Sequence, residues 1–183
     1  MAYFNNFPKI TYDGVTVRNI MLKSALVSEV FADLNAFYPY IIKEGHRPDT
    51  VANEVYGNPK YDWVVYFSNA VTDPYYEWPL SGDDFNKYLV KKYNMTIYEL
   101  MSTTDHYEYT GKPGDTAQDI ARNSYKMSPD TYVNAATFST DVTGWSPVDV
   151  YTYETRLNDA KRSIQLLSPG YINQIEKELS KIF

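Results

Sequence analysis

The 183-residue chain contains no cysteine, which excludes disulfide bonds, thiolate metal sites and cysteine nucleophiles. Histidine is scarce, and neither His46 nor His106 has a second histidine at the spacing of a zinc-binding pair. The sequence also lacks a Gly-x-Ser-x-Gly string and a glycine-rich phosphate loop followed by lysine. We therefore expect no enzymatic activity, no cofactor and no bound metal.

The chain has too few clustered basic residues to bind nucleic acid without sequence preference, because the formal net charge is −6 and the basic runs are short. No apolar run approaches the roughly 20 residues that cross a bilayer. The first residues show no secretion signal. The composition predicts a protein that is soluble and cytosolic when made, with no nucleic-acid, membrane or small-molecule partner.

Tyrosine is the residue in excess, with 19 tyrosines against eight phenylalanines. A tyrosine ring is apolar and its hydroxyl is polar, so the residue suits surfaces that are wet in the free protein and buried in complexes. The excess fits either protein interfaces or a tyrosine-rich core with satisfied hydroxyls, and composition leaves both interpretations open.

Residues 38–80 carry the clearest local signals. Alternating Tyr38, Tyr40 and Ile42 predict a strand, and Pro48 is a favoured first helical residue. Gly57 suits the end of that helix, since glycine readily adopts a left-handed conformation. A second helix follows, and the aromatic run at residues 75–78 predicts a closing strand. We expect the two strands to pair antiparallel.

The flanking segments are read in the same way. Asp13-Gly14 predicts a hairpin turn within residues 8–20, whereas residues 21–37 fit either a helix or a strand. Residues 103–147 are rich in turn-forming residues and predict a mostly irregular segment, after which strands are expected near residues 148–153 and 164–167. The last helix has a heptad-like apolar seam, which could pack on the chain's own core or on a partner.

The strand-helix-helix-strand unit resembles a LysM module, a module that usually binds peptidoglycan or chitin glycans. The residues that carry this resemblance, and that we expect to form the fold, are Arg47, Pro48, Ala52, Tyr56, Gly57, Asn58, Pro59, Trp63 and Asn69. A second passage at residues 109–134 also looks LysM-like around Gly114-Asp115-Thr116. A loop with one capped helix explains that passage equally well.

The longer match is to the LysM-like baseplate wedge protein 53 family of contractile-tailed bacteriophages. Beyond the LysM-like residues, it takes in Lys92-Tyr93, residues 106–108 and a C-terminal run from Tyr153 to Ile172. The resemblance implies a structural component of the virion tail baseplate, made in the host cytoplasm, that joins wedge subunits and neighbouring wedges. The alternative is a peptidoglycan-binding LysM module, or one attached to a cell-wall hydrolase, which a pull-down on purified peptidoglycan would distinguish.

These patterns predict an α+β fold in which a small LysM-like module carries extensions on both sides. The predicted segments are an N-terminal arm (1–37), the module (38–80), a helical extension (81–102), a loop-rich segment (103–147) and a C-terminal strand-helix segment (148–183). The expected partners are other wedge proteins and neighbouring wedge copies. The interface candidates are Asp73, Pro74, Tyr75, Tyr76, Trp78, Ile172, Ile175 and Leu179.

Overall fold

The structure is a computed structural model that describes residues 7–19, 36–123, 125–138 and 141–182, with the backbone alone for residues 178–182. The fold is α+β, as predicted. The chain forms two compact units. The first unit comprises residues 1–79 and 161–183, and the second unit comprises residues 80–160. The second unit is therefore an insertion in the sequence of the first.

The first unit begins with a hairpin of β1 (Lys9–Tyr12) and β2 (Val15–Arg18), which pair antiparallel. Its two-residue turn places Asp13 and Gly14 at φ 50° and 74°, the positive values that a tight hairpin turn requires. The predicted hairpin is confirmed. For residues 21–37 the sequence left both helix and strand open, and most of that segment, residues 21–35, lies outside the described residues.

A strand and two helices follow in the predicted order. They are β3 (Phe37–Ile41), α1 (Pro48–Tyr56) and α2 (Asp62–Ser68), with a 3₁₀ turn at Pro59–Tyr61 before α2. Gly57 ends α1 at φ 70°, and the Asn58 side chain accepts a hydrogen bond from the Lys60 N–H. Local capping therefore separates the two helices, as the sequence predicts.

The predicted closing strand at residues 75–78 is wrong. Residues Pro74–Glu77 form a single helical turn, α3, because Asp73 caps it and proline occupies its first position. The antiparallel partner of β3 is instead β7 (Ser163–Leu167), with Tyr38 opposite Leu166. The first unit thus closes its sheet with a strand that follows the whole insertion.

The core of the first unit lies between this two-stranded sheet and the helices. Val51, Val65 and Leu166 are fully buried on one side of it, together with Ile42 and Ala52. After β7, a 3₁₀ turn at Pro169–Tyr171 leads into α9 (Ile172–Ile182). The first turns of α9 pack on a second cluster that contains Ala36, Val64 and Leu167.

The second unit has a helical part built from α4 (Gly82–Tyr93), α5 (Ile97–Ser102) and α8 (Val150–Ala160). Its core contains Phe85, Leu89, Leu100 and Val150. The expected strand near residues 148–153 is only half right, because β6 (Trp145–Asp149) ends where α8 begins. Asp149 accepts hydrogen bonds from the N–H and hydroxyl of Thr152, which favours the switch to helix.

The rest of the second unit is more regular than its composition predicts. β4 (Thr104–Tyr109) lies between β6 and the short β5 (Lys126–Met127), and both pairings are antiparallel. Helices α6 (Ala117–Arg122) and α7 (Pro129–Thr137) occupy the connection from β4 to β6. The segment at residues 103–147, which was expected to be mostly irregular, is therefore a strand-helix-strand-helix-strand arrangement. Its strands are rich in polar residues, so an apolar pattern did not reveal them.

Buried polar groups hold the second unit together. The His106 ring is 4% exposed and lies between Asp105 and Glu108, with nitrogen-to-oxygen distances of 2.7 and 3.0 Å. Arg156 donates to the second oxygen of Glu108 at 2.7 Å. The pKa of Glu108 is lowered by the hydrogen bonds from His106 and Arg156. This network links β4 to α8.

Candidate interaction surfaces

Side chains of neighbouring residues stabilise the helical turn α3 through hydrogen bonds to its backbone. The Asp73 carboxylate accepts the Tyr75 N–H at 3.0 Å and so caps the turn. The Glu77 carboxylate closes it from the other end, accepting the N–H groups of Thr72 at 2.6 Å and Asp73 at 3.1 Å. Those two backbone donors lower the pKa of Glu77. Four consecutive positions are therefore ordered before any partner arrives.

The three aromatic residues of this segment point in different directions. Tyr75 and Tyr76 are 85% and 65% exposed, whereas Trp78 is only 8% exposed. The Trp78 indole N–H donates to the His46 carbonyl at 2.9 Å, and its ring meets Tyr66 edge to face. Trp78 therefore anchors the turn to the core, and the two tyrosines are left on the surface.

The sequence around the tyrosine pair is acidic. Residues 61–79 contain Asp62, Asp73 and Glu77 but no lysine or arginine. Burial raises the pKa of the Tyr66 phenol, the nearby Asp62 and Asp49 raise it further, and Arg47 opposes them. Burial likewise raises the pKa of the Asp62 carboxyl. The exposed pair is thus an aromatic patch on a turn that also carries Asp73 and Glu77.

The residues that carry the predicted LysM-like resemblance are spread through the first unit. Pro48 and Ala52 are buried on α1, and Arg47 is exposed beside Asp49. Tyr56 and Trp63 are partly buried against the core, where burial raises the pKa of the Tyr56 phenol. Pro59 begins the 3₁₀ turn that precedes α2.

Asn69 has the most specific contacts of this set. Its amide oxygen accepts the Gln165 N–H, and its amide nitrogen donates to the Gln165 carbonyl, both at 2.8 Å. The same nitrogen donates to the Val65 carbonyl at 2.9 Å. The side chain therefore ends α2 and pairs with the outer edge of β7 as a neighbouring strand would.

The C-terminal seam packs on the chain itself where its side chains are described. Ile172 and Ile175 are 7% and 2% exposed and belong to the core of the first unit. We therefore leave these two out of the proposed interface. Leu179 lies on α9, but its side chain is outside the described residues.

Sequence reasoning overlooked two exposed apolar groups. Ile10, Tyr12, Val15 and Val17 are all exposed on the N-terminal hairpin. In the second unit, Tyr98 and Met101 are exposed one turn apart on α5. Alternation within β1 and β2 was the available signal for the first group, because it places all four side chains on one face.

The described ranges 7–19, 36–123, 125–138 and 141–177 contain no candidate metal site. None of the His, Asp and Glu side chains there forms a group of three suited to a metal ion. Among the same residues, no helix is both long and apolar enough to cross a membrane. What the described surface offers is aromatic and apolar side chains held on ordered turns.

Comparison with known proteins places these surfaces in context. A family model described as base plate wedge protein 53 matches residues 3–182. The chain belongs to the base plate wedge protein 53 family. A relative, baseplate wedge protein gp53 of Enterobacteria phage T4, is 27% identical over 204 residues, which cover 98% of this chain and 94% of the relative.

Membership of the base plate wedge protein 53 family makes the chain a structural component of a phage tail baseplate, and thus of the virion. The sequence-based recognition of this family is confirmed. The match runs across both units and the N-terminal hairpin. The exposed groups described above are therefore carried by a protein that is assembled with other baseplate proteins.

Proposed function

We propose that the chain joins wedge subunits and neighbouring wedges through protein–protein contacts, and that it is not an enzyme. The observation that carries the proposal is the pair Tyr75 and Tyr76, exposed on a turn that is already ordered. Aromatic side chains bury a large area at a small cost in side-chain entropy, so they serve as anchors in the centres of interfaces. A rigid turn lowers the ordering cost of binding further.

Acidic residues around the pair indicate the chemistry of the partner surface. Asp73 and Glu77 belong to the same turn as the tyrosines, and residues 61–79 contain no lysine or arginine. A partner surface with an apolar or aromatic centre and lysine or arginine at its rim would complement this patch. Family membership favours this baseplate role over the peptidoglycan-binding alternative.

The test is the double substitution Tyr75→Ser and Tyr76→Ser. Both side chains are exposed, so the melting temperature should stay close to that of the parent. Incorporation into baseplates should fall strongly, measured by co-expression with the other wedge proteins and electron microscopy of the purified particles. Trp78 is unsuitable for this test because its removal would damage the core.

A control is Phe138→Ser, which removes an aromatic side chain that is 79% exposed in the second unit and belongs to none of the surfaces described above. This control separates the loss of one contact surface from a general loss of surface aromatic residues. Normal incorporation of the double variant would exclude Tyr75 and Tyr76 from the interface. A double variant that no longer folds would show instead that the pair supports the first unit.

A further inference from the structure

The sheet of the first unit is closed to further strands on both edges. The Ile42 N–H donates to the Arg162 carbonyl, and the Ser168 N–H donates to the Ala36 carbonyl. The backbone N–H and C=O groups of the even-numbered residues of β3 therefore point toward β7. The odd-numbered positions face outward, and the central one is Pro39, which has no N–H to offer. On the other edge, Asn69 occupies the outward groups of Gln165.

The second unit protects its sheet in the same way. The Thr110 N–H donates to the Gly144 carbonyl. This bond shows which opposed residues of β4 and β6 bond to each other and which point their backbone groups outward. The central outward position of β6 is consequently Pro147, opposite Tyr107. On the far side, β5 is two residues long, too short to guide another strand. Edge pairing is thus discouraged in both of these sheets.

The outer edge of β1 carries no proline and no capping side chain among the described residues. The Asn19 N–H donates to the Pro8 carbonyl, so Lys9 opposite Arg18 and Thr11 opposite Thr16 are the pairs that do not bond to each other. The N–H and C=O groups of Lys9 and Thr11 therefore point out from the edge of β1. Within the described part of the chain, no hydrogen bond uses them.

The faces of the hairpin differ as strongly as its edges. The cross-strand pairs Ile10 with Val17 and Tyr12 with Val15 place four apolar side chains on one face, and all four are exposed. Lys9 lies on the polar face, where an added strand would bring a residue beside it. A two-stranded ribbon with one open apolar face is marginal alone and gains from a third strand.

We propose that the outer edge of β1 accepts an extended strand from another baseplate wedge protein. This inference rests on the proposed baseplate function and names the chemistry of one partner. The added strand would bond to the backbone of Lys9 and Thr11. Its apolar residues would extend the face of Ile10 and Tyr12, and an acidic residue would lie opposite Lys9, because opposite charges stabilise cross-strand pairs.

Hydrogen exchange tests this arrangement on the intact protein. The amides of Lys9 and Thr11 should exchange quickly in the free chain and become at least about tenfold slower in wedges reconstituted with the other wedge proteins. Outward amides that exchange equally fast in both states would overturn strand addition. A chain that fails to enter the wedge at all would instead overturn the proposed function.

A proline substitution at an outward-facing position supplies the second test. Thr11→Pro removes an outward N–H without breaking a bond of the hairpin, in the way that Pro39 and Pro147 are accommodated at equivalent positions. We expect its affinity for the wedge to fall at least about tenfold, because a carbonyl of the partner strand loses its donor. Thr11→Val keeps the N–H and should bind like the parent.

Thr16→Pro is the control on the opposite edge. It should also bind like the parent if the partner adds to β1. Loss of binding in Thr16→Pro but not in Thr11→Pro would overturn the assignment to β1. The exchange rates of the inward amides of Ile10 and Val17 report whether each variant still forms the hairpin, so a folding defect is distinguished from a lost contact.

Discussion

Asn69 shows how one side chain can complete the edge of a sheet. Three hydrogen bonds, at 2.8 to 2.9 Å, tie its amide to Val65 and Gln165. The sequence places Asn69 at the end of a helix and within the family motif. Its pairing with Gln165 could not be predicted, because the two positions are far apart in the chain and meet only when β7 is in place.

Replacing Asn69 by alanine tests this role. Loss of the amide leaves the Gln165 N–H and carbonyl without these partners, so we expect the free energy of unfolding to fall by about 1–3 kcal/mol. Urea denaturation followed by circular dichroism measures the change. Ser68→Ala, which removes only a hydrogen bond to the Val64 carbonyl within α2, should change stability by no more than about 0.5 kcal/mol.

A loss for Asn69→Ala no larger than that of the Ser68 control would show that the Asn69 bridge adds nothing to stability.

At the same scale, Tyr75, Tyr76 and Trp78 illustrate the limits of composition. Sequence alone grouped them as surface aromatics, but one of the three is buried. The direction in which each side chain points is decided by the backbone conformation, and residues 74–77 form a helical turn where a strand was expected.

Two glycines show how elements depend on backbone geometry in different ways. Gly57 adopts φ 70° at the end of α1 with open space around it. Gly144 adopts φ 88° just before β6, where an added Cβ would lie 2.8 Å from the Tyr109 ring and 2.9 Å from the Gly111 backbone. The first position requires only a conformation, and the second requires both a conformation and space.

Alanine substitutions separate the two requirements. Gly57→Ala should cost about 1 kcal/mol, because the left-handed conformation disfavours a Cβ. Gly144→Ala should cost about 3 kcal/mol, since overpacking against backbone adds to the same strain. Chemical denaturation of the two variants measures the difference. Equal losses would mean that the segment around Gly111 moves aside without cost.

At the scale of the whole molecule, one unit is built from a single continuous segment and the other from two separate segments. The second unit is one continuous segment, residues 80–160, with its own apolar core and the buried His106 network. The first unit needs residues from both ends, because β3 pairs with β7 and the core includes Leu167 and Ile175. Continuity should therefore decide which unit folds alone.

Expression of fragments tests that expectation. Residues 80–160 should give a dispersed amide NMR spectrum and a cooperative thermal transition, since the segment holds all of its own strands and core. Residues 1–79 should remain largely unfolded, because they lack β7 and α9. A cooperatively folded 1–79 fragment would contradict the structural importance of the β3–β7 pairing.

Local chemistry in the sequence was sufficient for the parts that cap themselves. Asp13-Gly14, Pro48, Gly57 and Asn58 mark their turns and helix ends wherever they occur, because their preferred conformations depend on nearest neighbours. The matched residues also identified the family. Absence of cysteine excluded chemistry that no tertiary fold could restore.

Tertiary structure decided what the local signals left undetermined. A strand gains its hydrogen bonds from a partner that sequence does not specify, so β3 pairs with β7 across the inserted unit rather than with residues 75–78. The polar strand β4 forms because β5 and β6 pair with it on both sides, and its His106 is buried in contact with Tyr153 of α8. Pairing and burial are properties of the assembled chain, and they determine which tyrosines remain exposed.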